Sequence, residues 1–217
     1  MARFTIIIGN KNYSSWSLRG WIALRHCTDD VDEVHIRLRK PTTSADIRAH
    51  SPAGKVPALI DGDRLVWDSL AICEYLAEIF PDAGLWPEDL AARAHARSVS
   101  AEMHSGFGAL RNDMPMNCRA SLPGKGATQA ALFDIARIES IWNDCRDRFG
   151  GGGDLLFGSF SAADAMYAPV ASRFKTYQPD IGATAEAYVE AIHSLPAMAQ
   201  WIEAGRAESD QIVEMEI

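Results

Sequence analysis

The stretch from Lys55 to Leu70, Lys-Val-Pro-Ala-Leu-Ile-Asp-Gly-Asp-Arg-Leu-Val-Trp-Asp-Ser-Leu, limits what this chain can fold into more than any other. Val56 precedes a proline and is held extended, and Pro57 removes one donor at the start of a strand. Asp61-Gly62 between two short apolar runs marks a tight hairpin, because these residues tolerate the positive φ of two-residue turns. Asp68-Ser69 then opens an apolar helix. A carboxylate, a hydroxyl and unpaired helix N-terminal amides meet at one spot, which can hold both the amine and the carboxylate of an amino acid. The segment therefore reads as a peptide-binding edge.

The chain has 217 residues, of which 47% are hydrophobic and 23% charged, enough to bury a core in one large or two small domains. Its net charge of −8 lacks the basic footprint of a general nucleic-acid binder, so no nucleic-acid partner is expected. An anionic small ligand would need a local patch, for which Arg37, Arg39, Lys40 and Lys55 are the candidates. Cys27, Cys73, Cys118 and Cys145 lie far apart and form no zinc or CxxC spacing. They are expected to be reduced thiols, and no metal site is expected. The N-terminus shows no signal-peptide pattern, and no apolar run reaches the ~18–20 residues of a membrane span. A cytoplasmic protein without a membrane partner is expected.

Residues 4–9 read as a buried strand, Ser15 to Cys27 as a helix on a sheet, and 34–38 as a second strand. Ser44 to Ala49 fits a short helix, 57–60 and 65–67 the hairpin strands, and Ser69 to Phe80 an amphipathic helix. The order β-α-β-α-β-β-α gives a sheet of mixed direction with helices on its faces. Beyond a Pro- and Gly-rich break the chain reads as helical, at 88–115, 126–149, 162–175, 184–193 and 196–205. The expected division is an α/β domain at 1–80, a linker at 81–87 and an all-α domain at 88–217. Gly150–Gly153 lacks a following Lys-Ser/Thr and is a linker rather than a phosphate loop.

This layout resembles the cytosolic glutathione transferases, a thioredoxin-like domain followed by a helical one. Three anchors carry the resemblance over nearly the whole chain: Ser51-Pro-Ala-Gly-Lys-Val-Pro57, Asp68-Ser69-Leu-Ala-Ile-Cys-Glu-Tyr-Leu76, and Ser161-Ala-Ala-Asp164 before an apolar helix. The last is also a capping-box pattern in its own right. Near the N-terminus, Ser14-Ser15-Trp16-Ser17 is similar to the Ser-Ser-Cys-Ser of the zeta class, with Trp16 in place of the cysteine. A bacterial branch of the family carries the Asn-Tyr-Ser-Ser-Trp-Ser string itself.

The resemblance implies that glutathione is the co-substrate and that Ser14 hydrogen-bonds its sulfur, with Ser15, Ser17 and Tyr13 as rivals. Glutathione attacks as a thiolate, and a free thiol of pKa about 8.5 is little ionised at neutral pH. A hydroxyl donor at the positive end of a helix favours the thiolate. The resemblance further implies a cis Val56–Pro57 bond that presents the Val56 backbone to the cysteinyl part. Asp68 and Ser69 would hold the γ-glutamyl end, and Lys40 or Lys55 the glycyl carboxylate.

A small electrophilic second substrate would lie against Trp16, Met103, His104, Phe107, Arg111 and Arg173. Arg173 matches a zeta-class arginine thought to meet an anionic substrate. Several readings stay open here. Met103 and Phe107 are spaced like core residues, His104 and the arginines fit structural roles, and Ser14 and Asp68 fit plain helix caps. The transferase reading stands beside zeta-type isomerisation, peroxide reduction, and a non-catalytic ligand-binding scaffold on the same fold. A homodimer is the family expectation.

Overall fold

The computed structural model describes residues 2–216. A four-stranded sheet in the order β2-β1-β3-β4 is built from β1 (Phe4–Gly9), β2 (Val31–Ile36), β3 (Ala58–Asp61) and β4 (Arg64–Trp67). β1 is the apolar run Phe-Thr-Ile-Ile-Ile-Gly, and its near-complete burial is what a central strand covered on both faces requires. It pairs in parallel with β2 and antiparallel with β3, and β3 and β4 form the hairpin. Gly62, with φ +61°, stands first in the two-residue loop, where a type II′ turn needs it. β2 begins at Val31 and ends at Ile36, three residues before and two before the expected limits of 34–38. Its length is set by its partner, since the register runs from Phe4 opposite Val31 to Gly9 opposite Ile36. Leu38 instead folds over Gly9, where a Cβ would come within 2.6 Å of it.

Helices α1 (Ser15–Cys27) and α3 (Ser69–Ile79) pack on one face of the sheet, while α2 (Thr43–Arg48) sits on the other side with Ile7, Ile36 and Ala58. The remaining helices are α4 (Leu90–Ser105), α5 (Gly108–Asp113), α6 (Gln129–Phe149), α7 (Ala162–Tyr177), α8 (Ala183–Ser194) and α9 (Pro196–Ala207). This is the thioredoxin-like sheet followed by the all-α part that the residues imply. The expected single helix at 88–115 is two, because Gly106 and Phe107 break it. Phe107 takes φ +60°, which ends α4 and turns its ring into the core. No helix among the described residues is long and apolar enough to cross a membrane.

α7 is buried on nearly every side, so it is the axis of the helical half. It contacts α1, α4 and α8, and an aromatic cluster of Trp142, Tyr167, Phe174 and Tyr188 closes around it. Its N-terminus rests on the fully buried Asp164. That carboxylate accepts from Ser161 N–H (2.9 Å), Ser161 Oγ (2.8 Å), Leu156 N–H (3.1 Å) and the Tyr188 hydroxyl (3.1 Å). Removing it strands four buried donors at once. Asp164→Ala should therefore lower unfolding stability by about 3 kcal/mol or more. A urea midpoint within error of wild type at unchanged slope would refute this account.

Candidate active site

The loop between β1 and α1 is pinned before it reaches Ser14. The Lys11 and Asn12 amides donate to the Glu208 carboxylate (2.6 and 3.2 Å), Asn12 Nδ2 donates to Asn117 Oδ1 (2.9 Å), and Asn10 Oδ1 accepts from Leu38 N–H (2.8 Å). Lys11 is itself buried, with Nζ 2.7 Å from Glu33 and 4.9 Å from the Trp21 ring centre. The Tyr13 hydroxyl contacts Glu216 and accepts from Arg119 Nη2 (2.8 Å). Burial and that carboxylate hold the Tyr13 pKa above its ordinary value. Tyr13 also lines the cavity beside this loop, but its proton is committed to the Glu216 carboxylate, which removes it as a ready donor.

Ser14 occupies the position before α1 but makes no side-chain cap hydrogen bond. Its hydroxyl instead donates to Ser17 Oγ at 2.7 Å, and Ser17 Oγ also accepts from Gly9 N–H at 3.0 Å. The opposite wall is the cis Val56–Pro57 segment, against which α1 packs so closely that a Cβ on Gly20 would lie 3.1 Å from Pro57. Neither backbone polar group of Val56 has a partner among the described residues.

Asp68 sits at φ +77° and ψ +134°, a conformation that costs a non-glycine residue about 1–3 kcal/mol. Its carboxylate accepts from Leu70 N–H (2.9 Å), Ala71 N–H (3.3 Å) and His104 Nε2 (2.7 Å). Burial alone would raise its pKa, but these hydrogen bonds outweigh it and the net shift is downward. Beside it, the fully buried Ser69 hydroxyl has no partner among the described residues.

The helical half supplies a cationic wall. Trp16 lies between two guanidinium groups, Arg19 at 4.4 Å and Arg111 at 4.8 Å from its ring centre, with the His104 ring edge-on at 5.2 Å. Arg111 bonds the open carbonyls Met103, His104 and Gly106 at the end of α4, which fixes it in place. Arg173 is buried, donating to Met114 O (2.8 Å) and Pro169 O (3.1 Å). Burial, with the Arg111 charge added, pushes its pKa down to about 10. Arg19 is shifted down in the same way, and among the described residues Nη1 and Nη2 of its fully buried side chain have no partner.

Between these walls lies a cavity of about 780 Å³. It brings together Ser14, Ser15, Trp16, Lys55, Val56, Pro57, Asp68, Ser69, His104, Arg111 and Arg173. Lys40, Met103 and Phe107 do not line it. Lys40 turns toward Asp210, 3.8 Å away, and Met103 and Phe107 are buried in the core. The expected helix face placed those two in the cavity; Met103 instead sits on the core side of α4, and the left-handed turn at Phe107 takes Phe107 out. Arg39, a candidate of the basic run, lines it, as do Trp67, Pro115, Met116 and Met215, which the sequence did not single out. The basic run at 37–40 did point to Arg39's neighbourhood, whereas nothing local marks Met215, which arrives from the far end of the chain. No cluster among the described residues could hold a metal ion.

Two family models match, glutathione S-transferase N-terminal domain over residues 13–79 and glutathione S-transferase C-terminal domain over residues 117–204, so the chain belongs to the glutathione S-transferase family. It is 29% identical over 164 residues to a probable maleylacetoacetate isomerase of Caenorhabditis elegans, covering 74% of this chain and 75% of that one. With glutathione S-transferase Z2 of Arabidopsis thaliana it shares 27% over 197 residues, 86% and 87% of the two chains. The same fold is seen in a bacterial zeta-class maleyl pyruvate isomerase (TM-score 0.71, 22% identity, 96% and 100% covered). A Burkholderia glutathione transferase homologue solved with bound glutathione is equally similar (TM-score 0.71, 21% identity, 94% and 98% covered).

The anchoring of the loop has a pH consequence. Burial would raise the Glu33 pKa, but hydrogen bonds from His35, Lys11 and Trp21 and the Lys11 charge hold it down to about 2. Because this lies below the ordinary 4.5, its stabilisation is complete above that value and is lost as pH falls toward about 2. Glu33→Gln should therefore flatten the fall in urea midpoint between about pH 5 and about pH 3. An acid profile identical to wild type would show that the pair does not hold the loop.

Proposed function

We propose that this chain uses glutathione as co-substrate and attacks a small electrophile with a thiolate stabilised by Ser14. One observation carries the reading. Ser14, the unpartnered Ser69 hydroxyl and the unpaired Val56 backbone face one cavity from three separate segments. Ser69 would take the γ-glutamyl carboxylate at the start of α3, Asp68 the amine, and Val56 the cysteinyl backbone. Lys55, with Arg39 in place of Lys40, would meet the glycyl carboxylate. In this reading 1–80 hold glutathione, 81–87 link, and 88–217 hold the second substrate. Ser14 acts as a hydrogen-bond donor to sulfur and neither attacks nor removes a proton. Ser15 is the remaining rival for that contact.

A second, narrower reading is zeta-type cis–trans isomerisation of an unsaturated acid, in which glutathione adds and leaves again. The cationic wall of Arg111 and Arg173 favours it, since neither guanidinium meets a carboxylate there. Trp16 bulk at the position of the zeta cysteine narrows the site. The four cysteines are unpaired and lie outside the cavity lining, which supports a reducing, cytoplasmic setting and speaks against a mixed-disulfide mechanism. A homodimer completes the reading, to be checked by sedimentation.

The test is the ultraviolet thiolate band of bound glutathione followed against pH. A hydrogen bond to a charged group contributes about 1.5–3 kcal/mol, so Ser14→Ala should raise the thiol pKa by about 1–2 units. Tyr13→Phe should leave it unmoved. Equal titration of wild type and Ser14→Ala would transfer the role to Ser15, and failure to bind glutathione would leave a ligand-binding scaffold. Ser69→Ala should weaken glutathione binding about tenfold, as expected for a lost charge-assisted hydrogen bond. Unchanged affinity by calorimetry would move the γ-glutamyl subsite elsewhere.

A further inference from the structure

We propose that His104 is a positioning residue for glutathione, which reaches from the helical half and holds the Asp68 carboxylate in the pose that takes the γ-glutamyl ammonium. This rests on the assignment of Asp68 to the glutathione amine. It gives His104 a different task from the electrophile contact that the resemblance implies.

The two oxygens of Asp68 have different partners. Oδ1 accepts both α3 amides, from Leu70 and Ala71, while Oδ2 accepts among the described residues only from His104 Nε2, at 2.7 Å. An ionised carboxylate can only accept, so Nε2 carries the hydrogen of this bond. A helix cap needs Oδ1 and no more. Each carboxylate oxygen has about two acceptor directions, so Oδ2 keeps one open, on a residue that lines the cavity. Asp68 is also strained at φ +77°, and such a pose persists only where its surroundings over-determine it. Both amides belong to α3 itself. The hold from outside is His104, thirty-six residues away on α4. Burial raises the Asp68 pKa, and the hydrogen bond from His104 is the largest of the effects that pull it down. The carboxylate thus stays charged for an ammonium partner.

His104 is held at both ends. Its ring stands edge-on to Trp16 with centres 5.2 Å apart, and its carbonyl accepts from Arg111 Nη2 at 3.2 Å. The imidazole therefore has little freedom to turn away from Asp68. Both side chains are partly exposed, 30% for His104 and 42% for Asp68, and a pair of that kind contributes little to stability. Its effect is on where the carboxylate points, because a donor already in place spares the cost of ordering Asp68 when the ligand arrives. Glutathione is thereby gripped by both halves of the chain: the α/β half supplies the carboxylate and α4 supplies the residue that aims it.

The experiment measures, by calorimetry, binding of glutathione and of its deaminated analogue, glutaryl-cysteinyl-glycine. It compares wild type, His104→Ala, His104→Gln, Asp68→Asn and the double variant His104→Ala with Asp68→Asn. Wild type should prefer glutathione by about tenfold or more, as expected of one ammonium–carboxylate hydrogen bond. His104→Ala should lose about threefold to tenfold for glutathione and stay within about twofold for the analogue, with a urea midpoint near wild type. His104→Gln, whose amide nitrogen can donate from the place of Nε2, should restore most of the preference. The double variant should match Asp68→Asn alone, because His104 has nothing to act through once that carboxylate is gone. A wild-type preference in His104→Ala overturns the proposal, as do losses that simply add in the double variant. An equal loss for both ligands also overturns it, since a merely structural role would weaken both. If His104→Ala fails to fold, His104→Asn, whose shorter amide falls short of Oδ2, is held to the same outcomes. Wild type that binds both ligands equally removes the Asp68 assignment itself, an outcome read before any His104 variant is made.

Discussion

Helix α1 is wedged between two bodies of the fold, and everything at the site follows from where its N-terminus comes out. On one side it packs against α3 beside the sheet, and on the other against α7 of the helical half. Leu18, Trp21, Ile22 and Leu24 are all buried by this double packing. Such burial fixes the helix axis, so Ser14 and Ser15 at its start are held at the cavity between the halves. The positive end of a helix dipole is thereby held where a thiolate would form. A surface helix with one free face could tilt away; α1 cannot.

The charge distribution is the reverse of what composition suggests. The chain is acidic overall, yet Arg19, Arg111 and Arg173 gather beside Trp16, held by backbone carbonyls rather than carboxylates. Carbonyls satisfy the geometry of a guanidinium while leaving its charge uncompensated. Such a wall attracts an anion without the desolvation and rupture of an existing ion pair. The unpartnered amino groups of Arg19, stacked behind Trp16, extend that field inward.

What could be read in the sequence was what is encoded locally. Val56-Pro57, the Asp-Gly turn and Asp68-Ser69 lie within fourteen residues, and each names its own backbone geometry, so this edge of the cavity was legible. The β1 run and the Ser161–Asp164 cap were legible for the same reason. The losses are all long-range. Lys40 and Arg39 are neighbours with the same charge, and only Asp210 from the far end of the chain decides which of them is drawn off. The limits of β2 depended on its partner strand, not on its own alternation. Phe107 had the right periodicity but lost its place to its own left-handed conformation, and Met103 faces the core from within α4.

The segment after α9 shows why such long-range contacts matter to the chemistry. Glu208 holds two loop amides, Asp210 holds Arg37 and Asn10, Glu216 holds Tyr13 and Arg119, and Met215 reaches the cavity. Three carboxylates from one short segment are thus drawn to the outer side of the loop between β1 and α1. They neutralise Arg37 and Arg119 without facing the arginines near Trp16. These carboxylates fix the loop between β1 and α1, and none of them pairs with Arg19, Arg111 or Arg173 among the described residues. Fixing the loop with charge-assisted hydrogen bonds to its own backbone holds Ser14 in register, and the one carboxylate that lines the cavity among the described residues, Asp68, is engaged by His104 and the first amides of α3.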